Sequence, residues 1–253
     1  MLPHYPAQKI AMWLLRAVIA GCVGVMTDAY AQPAAPPSND CVVVLHGMGR
    51  TAVSMATVAD NLTRSGYTVW SETYESLSDP IETLSHQTIS QALQFCRQPQ
   101  RSLKRIHFVT HSLGGILLRY YLQENAIDEL GKIVMLSPPN HGSEVVDKYR
   151  DNWLFRAVMG PAFLQLGTDG LVTGFDSIAG EIGIITGDKS SDPWFSQTIP
   201  GPDDGKVSVE SAKLDEMQDF LIVPVGHTFI MNDDEVNRQL LHFLQHGSFR
   251  HPD

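Results

Sequence analysis

What the chain has little of narrows its function first. Its 253 residues include three cysteines, 18 basic side chains against 28 acidic ones, and no apolar run long enough to cross a bilayer. A formal net charge of −10 leaves no broad basic face for nucleic acid and gives no attraction to an anionic membrane. There is no Cys/His cluster with metal-ligand spacing, no glycine-rich phosphate loop and no internal repeat. No metal and no organic cofactor is therefore expected.

The first 31 residues are read as an export signal. Lys9 and Arg16 precede an apolar run from Ala17 to Met26, and Asp28-Ala29-Tyr30-Ala31 closes it. A basic start, an apolar middle and an Ala-x-Ala ending describe a secretory signal peptide, and the run is well short of the ~20 residues of a membrane span. The competing reading is a lipoprotein signal at Ile19-Ala20-Gly21-Cys22. Against it, the apolar run continues past Cys22 through Val23, Val25 and Met26, and Arg16 leaves little apolar core before that cysteine. The expectation is an exported protein, periplasmic or secreted, with a lipid anchor on Cys22 as the lesser alternative. Losing Lys9, Arg16 and Asp28 would make the charge one unit more negative. Residues 32–40, rich in proline and alanine, read as a linker, and residues 41–253 as one domain.

From Cys41 onward strand and helix patterns alternate. Cys41-Val42-Val43-Val44-Leu45 is a continuous β-branched run of the kind that is covered on both faces of a sheet. Helical spacing follows in 51–65, a short strand in 67–73, and a helix that opens at Ser78-Asp79-Pro80 and buries Ile81, Leu84, Ile89, Ala92, Leu93 and Cys96. Further strands are expected at 106–110, 132–137, 182–186 and 220–225, with helices at 112–124 and 233–245. The fold class is α/β: a doubly wound, mostly parallel six-stranded sheet flanked by helices. In that fold Cys41 and Cys96 lie at the same end of the sheet. An oxidising compartment could join them as a disulfide, the alternative being two buried thiols.

The run Ile106 to Thr110 leads into His111-Ser112-Leu113-Gly114-Gly115, which reads as a nucleophile elbow. Such a turn needs an exposed serine at a tight strand-to-helix reversal, small residues where helix and strand cross, and a free backbone N–H for an oxyanion. Ser112, Gly114 and Gly115 supply these. Thr110 stands where glycine is usual, a departure that makes the motif less specific.

Taken in order, His46-Gly47, then Thr110 to Gly115, then Ser137-Pro138-Pro139-Asn140-His141-Gly142-Ser143, then Asp203-Asp204-Gly205-Lys206-Val207-Ser208-Val209-Glu210-Ser211-Ala212, and finally Gly226-His227, resemble the α/β-hydrolase superfamily and its small bacterial secreted lipases and esterases. The resemblance runs from Cys41 nearly to the end of the chain and implies a minimal form of that fold. It also implies a triad in the order Ser112, acid, His227, because a serine hydroxyl attacks only when an imidazole takes its proton and a carboxylate holds that imidazole. Asp204 is preferred as the acid, with Asp188 and Asp203 as alternatives. The oxyanion hole falls to the backbone N–H groups of Met48 and Leu113, and His46 braces its loop.

Ten histidines compete for attention. His107, inside a strand, reads as core. His86, His242 and His246, on helices, read as solvated or interfacial. His111 either lines the pocket or packs, and His141 could edge it. Between residues 138 and 180 the alternation lapses into an apolar insert carrying Trp153, Leu154, Phe155, Val158, Met159, Phe163, Leu164 and Leu166. It is either a short cap that shapes an acyl pocket or core beneath a long crossover.

The expected activity is hydrolysis of carboxylic esters, small-molecule or lipid, through an acyl-enzyme on Ser112. The rivals are acyl transfer or amide cleavage by the same triad, and a non-catalytic α/β-hydrolase-like binding protein. Oligomeric state is unknown from these features.

Overall fold

The structure is a computed structural model that describes residues 39–190 and 192–251. The signal peptide and most of the linker expected from the sequence lie outside the described residues. Six strands form one sheet: β1 (Cys41–Leu45), β2 (Thr68–Trp70), β3 (Ile106–His111), β4 (Leu130–Leu136), β5 (Glu181–Gly187) and β6 (Asp219–Val223). Their order is β2-β1-β3-β4-β5-β6. Every pairing is parallel, so the sheet is more uniform than the expected "mostly parallel".

Period-two alternation divides β1 between two cores. Val43 and Leu45 face one layer with Ile106, Phe108 and Ile133, while Val42 and Val44 face the other with Val109 and Val134. Helices cover both faces: α1 (Ala56–Arg64), α2 (Ile81–Cys96), α3 (Leu113–Glu124), α4 (Glu144–Tyr149), α5 (Trp153–Leu164), α6 (Pro193–Ser196), α7 (Val209–Ala212) and α8 (Asp234–His246). Ile89, Leu93 and Cys96 of α2 close the first layer with Leu118 of α3. Val58 and Leu62 of α1 close the second with Val236, Leu240 and Phe243 of α8. Each such side chain, fully buried, contributes about 1.5–3 kcal/mol, which is what holds the helices on the sheet.

Local chemistry explains where boundaries differ from expectation. The helix expected over 51–65 begins as a 3-10 turn, Ala52–Met55, before α1. Strand β2 is confined to Thr68–Trp70, at the edge of the sheet, where it pairs with β1. The Asp-Gly segment leads to α7 through Ser208, whose hydroxyl accepts the Ser211 N–H as an N-cap.

Cys41 and Cys96 are joined by a disulfide, with 5.8 Å between their Cα atoms and 55 positions between them in sequence. It ties the first strand to the end of α2. Closing a loop of that length is worth roughly 4 kcal/mol by chain entropy. Reduction, or replacement of both cysteines by alanine, is expected to lower the free energy of unfolding, read from urea titration, by an amount of that order, with a lower midpoint. An unchanged midpoint would mean that the bridge constrains nothing that the core does not already fix.

The insert at 138–180 has its own structure. α4 and α5 pack with the 3-10 turn Leu171–Gly174 over a third core, in which Phe163, Leu166 and Val172 meet Ile116 and Leu117 of α3. α5 breaks at Gly160-Pro161, where Gly160 has φ 72° and a Cβ would lie 1.9 Å from the Leu77 carbonyl oxygen.

Candidate active site

The site grows from the end of β3. Ser112 stands between β3 and α3 with φ 50° and ψ −120°, a backbone state that non-glycine residues seldom hold and that costs about 1–3 kcal/mol. The surrounding packing enforces it. α3 crosses close to β1, so a Cβ on Gly114 would lie 2.8 Å from Leu45 Cβ and 2.9 Å from the Leu45 carbonyl oxygen. Thr110 is accommodated because Gly115 faces it: a Cβ there would be 3.2 Å from Thr110 Oγ1. The missing glycine of the usual motif is thus offset by one on the helix side.

His227 follows β6 across Gly226 and opens the 3-10 turn His227–Asn232. Its Nδ1 lies 2.8 Å from Asp204 Oδ2, and its backbone N–H donates to the Asp204 carbonyl oxygen at 2.9 Å. Asp204 is 2 % exposed. Its other carboxylate oxygen accepts the N–H groups of Lys206 at 3.0 Å and Val207 at 2.9 Å, which fixes the side chain in its turn. Burial alone would raise this carboxyl's pKa, but the charge and hydrogen bond of His227 and the Val207 N–H outweigh it and hold it below its ordinary value.

The two alternative acids stand elsewhere. Asp203 accepts from Ser196 Oγ and the Gly205 N–H, bracing the loop. Asp188 has one buried carboxylate oxygen without a hydrogen-bond partner, and its backbone N–H donates to Val223.

Ser112 and His227 line one cavity of about 240 Å³. No hydrogen bond among the described residues joins Ser112 Oγ to the His227 ring; in the absence of substrate such contacts are often long. Met48 also lines the cavity, and its N–H has no acceptor among the described residues. Leu113 opens α3, where first-turn N–H groups lack intrahelical acceptors. His46 braces the Met48 loop: its Nδ1–H donates to the Gly47 carbonyl, its Nε2 accepts the Tyr74 N–H, and the Tyr74 ring stacks on it at 4.0 Å. Val145, Val146, Met159, Phe163 and Leu166 of the insert also line this cavity.

Residues 41–173 match the family described as palmitoyl protein thioesterase. The chain belongs to that family. Similar solved structures include the mature lipase BlEst2 of Bacillus licheniformis, at 19% identity and TM-score 0.62 over 84% of this chain and 92% of that one. A metagenomic carboxyl esterase, MGS0156, is 14% identical with TM-score 0.58 over 78% and 68%. Phospholipase PlaB of Legionella pneumophila is 17% identical with TM-score 0.54 over 69% and 45%. No curated protein sequence matches the chain. The shared architecture is a minimal α/β-hydrolase fold.

In this palmitoyl protein thioesterase family member the remaining histidines sort by burial. His111 lines the cavity beside Ser112 and donates from Nε2 to the His227 carbonyl at 3.1 Å, so it both packs and lines. His141 is exposed and is not part of the cavity wall; Pro139 takes that place. His86 pairs with Glu124 at the surface. Sequence reasoning does not reach Arg50 and Lys206, which also line the cavity; their signal was position, each two residues beyond Met48 or Asp204.

His46, His107 and His111 are buried, and burial is the largest cause holding each below the ordinary imidazole value of 6.5. In the unfolded chain these rings take up protons near pH 6.5, while the folded chain does so at lower pH. Below 6.5 the unfolded state therefore binds more protons, and the stability fully present above that value is lost as pH falls. The urea midpoint is expected to be lower at pH 5 than at pH 7.5. Asp204 would add its own loss further down, below its ordinary 3.8, so the two windows are separable. An equal midpoint at pH 5 and 7.5 would contradict the neutral burial of these three rings.

Proposed function

We propose that the protein is a serine hydrolase of carboxylic esters, acting through an acyl-enzyme on Ser112 with Asp204 and His227. The observation that carries this reading is that His227, which shares a cavity with Ser112, is paired with a buried Asp204. The Asp204 carboxylate keeps the proton of His227 on Nδ1, leaving Nε2 as the base. Ser112 Oγ attacks the ester carbonyl carbon and gives its proton to Nε2. The Met48 and Leu113 N–H groups receive the oxyanion. Collapse breaks the bond to the leaving alcohol, which takes the proton from Nε2. Water then attacks the acyl carbon and passes a proton to His227; the bond from that carbon to Ser112 Oγ breaks, Oγ takes the proton from His227, and the free acid leaves.

The apolar wall of Val145, Val146, Met159, Phe163 and Leu166 suits a hydrophobic acyl chain. A second reading, a thioester in place of an oxygen ester, is favoured by the family match; the same steps serve a thiol leaving group. Acyl transfer to an alcohol, or amide cleavage, would use the same residues. The disulfide supports an oxidising compartment, periplasmic or extracellular.

The test is hydrolysis of p-nitrophenyl esters from acetate to palmitate, beside palmitoyl thioesters, with labelling of Ser112 by a fluorophosphonate. Turnover that rises with chain length and a label on Ser112 are expected. A folded protein that neither turns over nor labels would move a binding role to the front.

A further inference from the structure

The charged lining of the cavity does not match the charge of the protein. In a chain with 28 acidic and 18 basic side chains, the cavity that holds Ser112 is lined by two cations, Arg50 and Lys206, and by no carboxylate. Asp204 itself lies behind His227, its charge taken up by that ring and by two N–H groups. We infer that the site selects acyl esters whose leaving half carries an anionic group close to the ester, held by Arg50 and Lys206. The inference rests on the proposed hydrolase chemistry and names the substrate class for it.

Position fixes which half of the substrate carries the charge. Arg50 is two residues past Met48, in the loop after β1, and Lys206 two residues past Asp204, in the loop between β5 and β6. Since β1 neighbours β3 while β5 lies beyond β4, the two come from strands on opposite sides of the one that carries Ser112. Most of the apolar lining, Val145, Val146, Met159, Phe163 and Leu166, comes from the insert, which holds neither cation; Met48 and Val207 add to it from the two loops. The acyl chain therefore takes the insert side, and the charge belongs to the alcohol.

Arg50 is available for a ligand. It makes no ion pair among the described residues, and its guanidinium lies over the Phe229 ring at 5.9 Å, which leaves its planar fork unused. Lys206 lies over the Phe195 ring at 3.7 Å with Asp192 as its partner at 3.5 Å, and burial lowers its pKa. A half-desolvated ammonium paired with one carboxylate, Asp192, has donors left for a second anion. An arginine fork accepts phosphate or carboxylate equally well, so the shared chemistry is an oxyanion.

Four octanoyl esters that differ in the charge of the alcohol test this: those of glycerol, glycerol 3-phosphate, lactate and choline. The expected kcat/KM for both anionic esters exceeds that for the glycerol ester by about tenfold at low salt, with the choline ester poorest; the preference fades as salt screens it. A gain for the phosphate ester alone would name phosphate as the anion, and for the lactate ester alone carboxylate; either supports the inference. Arg50→Gln and Lys206→Gln, checked for an unchanged unfolding midpoint, should each cut the anionic-to-neutral ratio about fivefold or more, with Arg50→Lys keeping most of it. A ratio near one in the wild type, or a ratio that Arg50→Gln and Lys206→Gln leave alone, overturns the inference while the hydrolase reading stands. If no ester turns over, the glycerol ester included, and Ser112 does not label, the hydrolase reading fails and the subsite with it.

Discussion

Replacing Ser112 with alanine is expected to lower kcat on any ester by about 10⁵-fold or more, with His227→Ala falling by a similar factor and the double variant no further. The three should coincide because the residues act as one unit: without the imidazole the hydroxyl keeps its proton, and without the hydroxyl the imidazole has nothing to accept. Loss of fold does not offer an escape. Ser112 occupies a strained backbone state at φ 50°, which glycine holds at less cost, so Ser112→Gly should be at least as resistant to urea as the wild type while equally inactive. Steady-state turnover beside urea unfolding of the same preparations makes the check. Residual turnover within tenfold of wild type in Ser112→Ala would remove the acyl-enzyme step from the proposal.

How far the sequence reaches depends on the range of the interaction that specifies each feature. The sheet was legible because its central strands are buried on both faces and read as largely apolar runs, unbroken in Cys41 to Leu45 and interrupted by His107 in Ile106 to Val109. The 3-10 start before α1 and the shortness of β2 were not, since neither alters hydrophobic periodicity. The strand-to-helix turn at Ser112 was legible as a pattern, yet the way Thr110 fits was hidden, because it depends on Gly115 facing it across the turn. Spatial pairings escaped in the same way. Nothing in the order of residues says that Tyr74 would close over His46, or that His111 would reach the His227 carbonyl. The choice of acid was open in sequence because Asp188 and Asp204 both follow β5; the structure brings Asp204 to the ring.

That choice gives the second large effect. Asp204→Asn is expected to lower kcat by about 10⁴-fold, while Asp188→Asn stays within a few-fold of wild type. The two oxygens of Asp204 have different tasks, and the amide separates them. One accepts the Lys206 and Val207 N–H groups at 3.0 and 2.9 Å, and the carbonyl of an asparagine can still do so. The other accepts from His227 Nδ1 at 2.8 Å, where an amide NH₂ would donate instead. The ring would then carry its proton on Nε2 and could not act as base toward Ser112. The turn and the fold are kept while the tautomer is lost, so Asp204→Asn should unfold near the wild-type urea concentration. Asp204→Ala, which also strands the two N–H groups, should unfold earlier. If instead Asp188→Asn carried the large loss and Asp204→Asn did not, the base would be oriented from the other side of the β5 loop and the acid in the proposal would have to be exchanged.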